Sequence, residues 1–597
     1  MRVADWIWKT LADWGTEHVF LVTGGGAMHL NDALGRETRI RYVCNLHEQA
    51  CAMAAEGYAR ISGKPGVVSV TTGPGGTNAL TGVVGAWLDS VPMIVISGQI
   101  KRATMITSCP NLKLRQLGDQ EYNIVDAVRP MTKFAKTVMS VDEVPEVLAA
   151  AWKSCQEGRP GPVWIDVPLD IQAAPCDLPT LPRPTPSAHG QSVQPAWVGE
   201  VVSLLRKARR PALIVGSGVR SARAEQAFLS FAESLNIPVL TSISGIDLIP
   251  SNHPLFFGRP GILGERPANF IMQNSDLFLV VGTRMGIRIC GYAYETIARG
   301  ATKVMVDVDP NELNKPTFRP DVKIESDAGD FFRAVHAALP SLPPREDWLA
   351  YCRGVKARYP VILPEHRVRT DYVSSYVLPE KLVQYAPNPT TLVTSNGIAY
   401  TSTFQSVPIK EGMRMFSNEA CASMGYDLPA AIGAAAAAPG REVVCITGDG
   451  SIQMNLQELQ TILSNAYPVK IFMYNNNGYL SIKLTQNAFF SGHYVGSTPE
   501  SGVHLPDMRK LAEAYGFRTY LLRNNAEAEA RLPEILAQEG PVFCEVMTDP
   551  LEKLGPKASS ARLPDGRLVS RPLEDLAPFL PREEFKANMI IPTVEEK

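Results

Sequence analysis

No CxxC pair occurs among the ten cysteines, no apolar run approaches the length of a membrane span, and neither sign of charge is in surplus. The cysteines, at 44, 51, 109, 155, 176, 290, 352, 421, 445 and 544, are too scattered for a disulfide framework or a cysteine-ligated zinc site. They are expected to be reduced, mostly structural thiols. With no stretch of about 18 apolar residues, a membrane helix is not expected. Lys and Arg number 58 against 60 for Asp and Glu, a formal charge of −2, so no broad basic surface is on offer to nucleic acid. The opening MRVADWIWKTLADWG reads as an amphipathic helix without the apolar core of a signal peptide. The expectation is a cytoplasmic protein that binds neither nucleic acid nor membrane.

What is present is 45% hydrophobic content over 597 residues, enough to bury several cores. Proline clusters punctuate the chain at 175–186 and at 340–344. Proline continues neither a helix nor a central strand, so the clusters divide the chain into blocks 1–174, 190–338 and 348–550, with a tail 551–597. Each block alternates short β-branched apolar runs with helix-like stretches: HVFLV, GVVSV, MIVIS and PVWIDV; ALIVGSG, IPVLTS, LFLVVGTR and KVMVDVD; TLVTS, REVVCITGDG, VKIFMYNN and PVFCEV. Continuous apolar strands spaced by helices mean parallel sheets covered on both faces. The expected fold class is α/β, with three doubly wound parallel-sheet domains. Ligands in such sheets bind beyond the carboxyl ends of the strands. The tail is polar and proline-punctuated, with Leu573, Leu576, Phe579 and Leu580 interleaved, and is expected to be an arm packed over a neighbour rather than a disordered end.

The most specific pattern lies in the third block. In VVCITGDGSIQMNLQELQTILSNAYPVKIFMYNNNGY, Asp449 stands between Gly448 and Gly450 at the end of one strand, and Asn476 follows the next. Neighbouring parallel strands bring these loops together. A carboxylate, an amide oxygen and a backbone carbonyl are hard ligands suited to Mg²⁺ or Ca²⁺. The glycines and a helix start after Gly450 would favour a diphosphate beside the ion. A bare GDG could equally be a strand-to-helix turn with a capping aspartate; the NN pair at this spacing favours the metal–diphosphate reading.

GDG with NN after the following strand resembles the thiamine diphosphate motif, and residues 1 to about 550 resemble the acetolactate synthase-like family of thiamine diphosphate enzymes. The resemblance implies Asp449, Asn476 and the carbonyl of Gly478 as ligands of Mg²⁺. It implies a pyrimidine-binding first domain, a central domain and a diphosphate-binding third domain. His47-Glu48-Gln49 opens an Ala-rich helix; taken alone, Glu48 is a first-turn carboxylate favoured by the helix dipole. By resemblance it hydrogen-bonds the coenzyme's aminopyrimidine, which itself acts as the base. The loop TTGPGGTN, with Thr72, Gly73, Pro74 and Asn78, is expected to line the cofactor cleft. So are Asn396, Gly397, Ser451, Tyr479 and Leu480 with Gly448 and Gly450, while Met424 props the bent cofactor. Gly25, in VTGGGAMHL, brings backbone N–H groups near a bound intermediate, and Gln120 approaches the substrate.

Three departures from the family pattern stand out. Asp119 replaces the aromatic that usually precedes the glutamine. Ser481 and Thr485 stand where acetolactate synthases carry Met and Trp, a smaller and more polar run that either admits a larger, polar acceptor or contacts only the tail. In the central block Arg284 and Arg288 match a flavin-binding stretch, but Gly286 stands for its aspartate. The resemblance there leaves two alternatives, a structural FAD or an empty cleft. The function implied is decarboxylation of a 2-keto acid, pyruvate foremost, with transfer of the two-carbon unit to a carbonyl acceptor, in a homodimer or homotetramer. The alternatives are acetyl transfer to a keto-sugar nucleotide or other 2-hydroxyacyl lyase chemistry, an oxidase with a catalytic flavin, and a non-catalytic regulatory homologue.

Overall fold

The apolar runs form strands, most of them buried along their length, as a sheet covered on both faces requires. In this computed structural model, which describes residues 1–185, 193–562 and 567–594, three sheets follow one another along the chain. The first contains β1 (His18–Leu21), β2 (Arg41–Cys44), β3 (Gly66–Val70), β4 (Met93–Gln99), β5 (Phe134–Thr137) and β6 (Pro162–Pro168), ordered β2-β1-β3-β4-β6-β5. The second contains β7 (Pro211–Val215), β8 (Val239–Thr241), β9 (Leu277–Val281), β10 (Thr302–Asp307) and β11 (Val322–Glu325), ordered β11-β10-β9-β7-β8. The third contains β12 (Thr391–Thr394), β13 (Arg414–Phe416), β14 (Val443–Gly448), β15 (Val469–Asn475), β16 (Arg518–Leu522) and β17 (Val542–Met547), ordered β13-β12-β14-β15-β17-β16. The pairings within all three are parallel. The chain is thus three α/β domains, the fold class read from the sequence. Pro186, the expected start of the second block at 190, and residues 563–566 and 595–597 of the expected arm lie outside the described residues.

The opening helix, Val3–Asp13, buries Val3, Trp6, Ile7 and Leu11, the three-and-four spacing of an amphipathic helix. No helix among the described residues is long and apolar enough to cross a membrane. All ten cysteines are unpaired.

Two small-residue helices join the first domain to the third. The helix Glu48–Ser62 is capped by His47, whose Nδ1 accepts the Gln49 N–H at 3.0 Å, and ends at the left-handed Gly63. It crosses the helix Asp427–Ala437 so closely that a Cβ on Gly433 would fall 1.9 Å from the Ala54 carbonyl oxygen. Only small residues permit that approach. One core results, running from Phe20 and Val68 through Tyr426 and Ala431 to Val443 and Cys445. The central domain keeps a core of its own.

Two segments depart from the expected division. The helix Glu346–Arg358, most of which the boundary at 348 assigns to the third block, buries Trp348, Leu349, Cys352 and Val355 in the central core. Trp348 Nε1 donates to the Pro211 carbonyl at 2.9 Å. The proline cluster before it is a bend within the central domain, and the change of domain falls after Arg358. The tail packs against its own central domain along the helix Arg266–Asn274. Arg266 donates to the Leu576 and Pro578 carbonyls, Asn269 Nδ2 to that of Leu573, and Gln273 Nε2 to Glu574 at 2.6 Å. Leu573 and Leu576 are buried as the pattern implied, but Phe579 is exposed, its ring faced by Arg571 and Arg582.

Glu552, just beyond β17, is buried, and burial pushes its carboxyl up to about 7 against the opposing influence of Ser375 and the charge of Arg369. The folded chain therefore holds this proton more tightly than the unfolded chain, where the value is the usual 4.5. The associated stability is complete below the unfolded value and is lost as pH rises through the folded one. Glu552→Gln cannot titrate and is expected to remove about 1–3 kcal/mol of that loss. The check is the thermal midpoint of both proteins between about pH 5 and 7.5. Glu56, Glu419 and Glu442 are also pushed up to about 7, so the difference between the two slopes is the reading. Identical slopes would contradict the assignment.

Candidate active site

The expected residues gather in two groups, each at the carboxyl ends of strands. In the first domain, Glu48 opens its helix and is 8% exposed. Its Oε2 accepts Asn78 Nδ2 at 3.0 Å, and its Oε1 lies beside Gly75. The loop after β3 carries Thr71 and Thr72 against the glycine turn after β1: Gly26 N–H donates to Thr71 Oγ1 at 3.0 Å, and Thr72 Oγ1 donates to the Gly98 carbonyl at 3.0 Å. Gly25 faces open space. Gly73, at φ +64°, meets the backbone of Gln120: a Cβ there would sit 2.4 Å from the Gln120 carbonyl oxygen. Pro74 begins the short helix Pro74–Asn78. Glu48, Gly25, Thr72, Gly73, Pro74, Asn78 and Gln120 are therefore one neighbourhood.

The second group lies in the third domain. Asp449 follows β14, and its carboxylate is held by main-chain N–H groups: Oδ1 accepts that of Gly450 at 2.8 Å, and Oδ2 accepts those of Asn476 at 3.1 Å and Gly478 at 3.2 Å. Burial pushes this carboxyl up to about 6, and the backbone donors oppose the shift. Register explains the meeting. Gly448 pairs with Tyr474 across β14 and β15, so the two loops leave the sheet side by side. Asn476 Oδ1 is buried without a hydrogen-bond partner. A buried acceptor left alone costs about 1–3 kcal/mol, and beside a carboxylate it fits a hard cation. Gly450 leaves room for Tyr479, since a Cβ there would lie 2.1 Å from the ring. Leu480 begins and anchors the helix Leu480–Phe490. Asn396 Nδ2 donates to the Ala422 carbonyl at 3.2 Å, and a Cβ on Gly397 would lie 3.8 Å from Ser481 Oγ. Met424 is half-buried. Thr485, in the expected acceptor-facing run, is exposed.

One expectation changes. The stretch after Gly450 is a 3-10 turn, Ile452–Asn455, before the helix Glu458–Ser464. Ser451, where an α-helix would begin, is engaged elsewhere: its Oγ donates to Asp427 Oδ2 at 2.9 Å and accepts the Gly425 N–H at 3.0 Å. The two groups are not bonded to each other: no hydrogen bond or ion pair among the described residues joins Glu48 or Asn78 to Asp449 or Asn476.

Supporting residues emerge that the motifs did not mark. Asp427 is fully buried, its carboxyl pushed up by burial against Ser395, Thr447 and Ser451. Its signal was a lone carboxylate in the Ala-rich run YDLPAAIGAAAAA. Glu458 accepts Asn45 Nδ2 at 2.8 Å and the Leu46 N–H at 2.9 Å, tying the approach to Glu48 to the third domain.

A separate cleft of about 330 Å³ lies beyond β7, β9 and β10, lined by Ser217, Gly282, Arg284, Gly286, Arg288 and Asp307 among others; neither Glu48 nor Asp449 lines it. Burial pushes the Asp307 carboxyl up to about 6. Arg288 Nη1 donates to the Tyr400 hydroxyl at 3.2 Å and lies over its ring, which links this cleft to the third domain.

Comparison with known proteins finds three family models in succession along the chain. Residues 1–113 match the family model for the N-terminal TPP binding domain of thiamine pyrophosphate enzymes, 198–335 the central domain, and 395–546 the C-terminal TPP binding domain. The chain is 32% identical over 553 residues to the acetolactate synthase isozyme 1 large subunit of Escherichia coli, covering 93% of this chain and 95% of that one. It is 33% identical over 528 residues to the acetolactate synthase large subunit of Corynebacterium glutamicum, covering 86% and 82%. It is 31% identical over 577 residues to a probable acetolactate synthase large subunit of Methanocaldococcus jannaschii, covering 93% of each. The chain belongs to the thiamine pyrophosphate enzyme family, as a thiamine diphosphate-dependent enzyme of the acetolactate synthase-like, carboligating type.

Proposed function

We propose that this enzyme binds thiamine diphosphate through Mg²⁺ at Asp449, Asn476 and the Gly478 carbonyl, decarboxylates pyruvate, and passes the two-carbon unit to a carbonyl acceptor. The observation that carries the reading is the unpartnered, buried Asn476 Oδ1 beside a buried carboxylate. When bound, thiamine diphosphate supplies the nucleophilic carbon that makes loss of CO₂ from a 2-keto acid feasible. The chain's own groups bind and orient. Gly448, Gly450 and Ser451, at the end of β14 and in the turn after it, border the place of the diphosphate. Asn396, Gly397, Met424, Tyr479 and Leu480 shape the adjoining wall. Thr72, Gly73, Pro74 and Asn78 border the pyrimidine end, where Glu48 would hydrogen-bond the ring. Gly25 and Gln120 face the substrate.

The pyrimidine and diphosphate residues lie on different domains, and the family resemblance supports a site completed by a second copy, in a homodimer or homotetramer. Arg284 and the glycine turns of the central cleft fit the phosphates of FAD in a structural role, with the buried Asp307 at a strand end suited to a ribose hydroxyl. The ten unpaired cysteines are consistent with a reducing, cytoplasmic setting. Ser481 near Gly397 and the exposed Thr485 favour one second reading, acetyl transfer to a keto-sugar nucleotide.

The test is incubation with pyruvate, alone and with a panel of 2-keto acids and keto-sugar nucleotides, followed by product mass measurement. Acetolactate from pyruvate alone is expected. A branched sugar would promote the second reading, and no CO₂ from any 2-keto acid would contradict both.

A further inference from the structure

Gln120 sits in an unusual setting: its backbone is left-handed, at φ +59°, and its side chain is exposed. A non-glycine residue adopts that conformation only where its surroundings impose it. Two neighbours do so. Glu121 turns inward and is 6% exposed. Its Oε1 accepts the Ile106 N–H, and its Oε2 accepts those of Leu117 at 2.9 Å and Gly118 at 3.2 Å. One carboxylate thus closes the whole excursion from Ile106 to Gly118. From the other side, Gln99 Nε2 donates to the Tyr122 carbonyl at 3.0 Å and to Asp166 Oδ2 at 3.2 Å. Asp166 is fixed in turn by Ser97 at 2.6 Å and Thr137 at 3.1 Å. Gly118 closes the turn against Ile100 and Thr104.

We propose that Glu121 is a positioning residue, whose carboxylate gathers three backbone N–H groups so that the turn presses Gln120 against Gly73 and aims its amide at the substrate. The inference rests on the reading of Gln120 as a substrate-side group. The residue type is what the task needs. Two carboxylate oxygens can accept from both sides of the excursion, whereas glutamine has one acceptor oxygen and turns an N–H₂ toward N–H donors. Glu121→Gln must therefore release either Ile106 or the Leu117–Gly118 pair. Small displacements at a reacting centre cost up to about 100-fold in rate.

The experiment measures kcat and KM for pyruvate, and thiamine diphosphate affinity, in the Mg²⁺-loaded enzyme carrying Gln120→Ala, Glu121→Gln or both. Glu121→Gln is expected to lower kcat/KM by about 10- to 100-fold, with coenzyme affinity unchanged, and to add nothing once Gln120 is alanine. Wild-type kinetics for Glu121→Gln, or equal losses in both backgrounds, would overturn the inference. If Gln120→Ala alone left the kinetics unchanged, the substrate-side reading of Gln120 would fail first, and the inference with it. Should Glu121→Gln not fold, Gln99→Met carries the same test: it frees the Tyr122 carbonyl without touching Glu121, and its loss should likewise vanish in the Gln120→Ala background.

Discussion

Glu48→Gln is expected to reduce CO₂ release from pyruvate by about 10²- to 10⁴-fold, the range over which a positioned acid–base group contributes. The substitution is nearly isosteric. A glutamine can keep the acceptor that Asn78 Nδ2 uses at 3.0 Å, and the His47 cap of the helix does not involve Glu48. What it removes is the carboxyl group that would hydrogen-bond the coenzyme's ring. Folding and thiamine diphosphate binding should therefore persist while turnover collapses. Steady-state CO₂ release and the thermal midpoint, measured on the same sample, check this. Turnover within a few-fold of wild type would remove Glu48 from the proposed chemistry, and a collapsed midpoint would show its role to be structural.

Asp449→Ala is expected to weaken thiamine diphosphate uptake in Mg²⁺ by at least about 100-fold, since even groups that only orient a metal's ligands cost about 10- to 100-fold. The same change leaves the N–H groups of Gly450, Asn476 and Gly478 without their acceptor, so some stability is lost as well. Asn476→Ala separates the two effects. Its Oδ1 has no partner, so removing it breaks no hydrogen bond of that atom, yet coenzyme binding should fall as it does for Asp449→Ala. Binding titrations on both variants, beside their thermal midpoints, provide the check. Full affinity in Asn476→Ala would exclude its amide from the metal site.

The sequence made legible what short spacing controls. Apolar runs such as GVVSV and VVCIT have one plausible conformation between glycine-bounded helices, and a two-strand register carries Asp449 to Asn476 without long-range information. Contacts between distant segments stayed hidden. The Asn45–Glu458 bond spans 413 residues, and nothing around either residue announces the other. The docking of Leu573 on the helix Arg266–Asn274 was unreadable for the same reason, because an apolar residue in a proline-rich tail identifies that it packs, not where. The proline cluster at 340–344 misplaced a boundary because proline marks a break in an element, and the helix after that break returned to the central core. Glu121 went unremarked beside Gln120 because a carboxylate that serves backbone groups of its own loop leaves no motif.

The most direct measurement is calorimetric titration of thiamine diphosphate into the full-length enzyme, with Mg²⁺ and with a chelator. Saturable uptake that requires the cation and disappears in Asp449→Ala is the predicted result. Uptake of equal affinity with and without the cation, or none at saturating Mg²⁺, would contradict the proposed site.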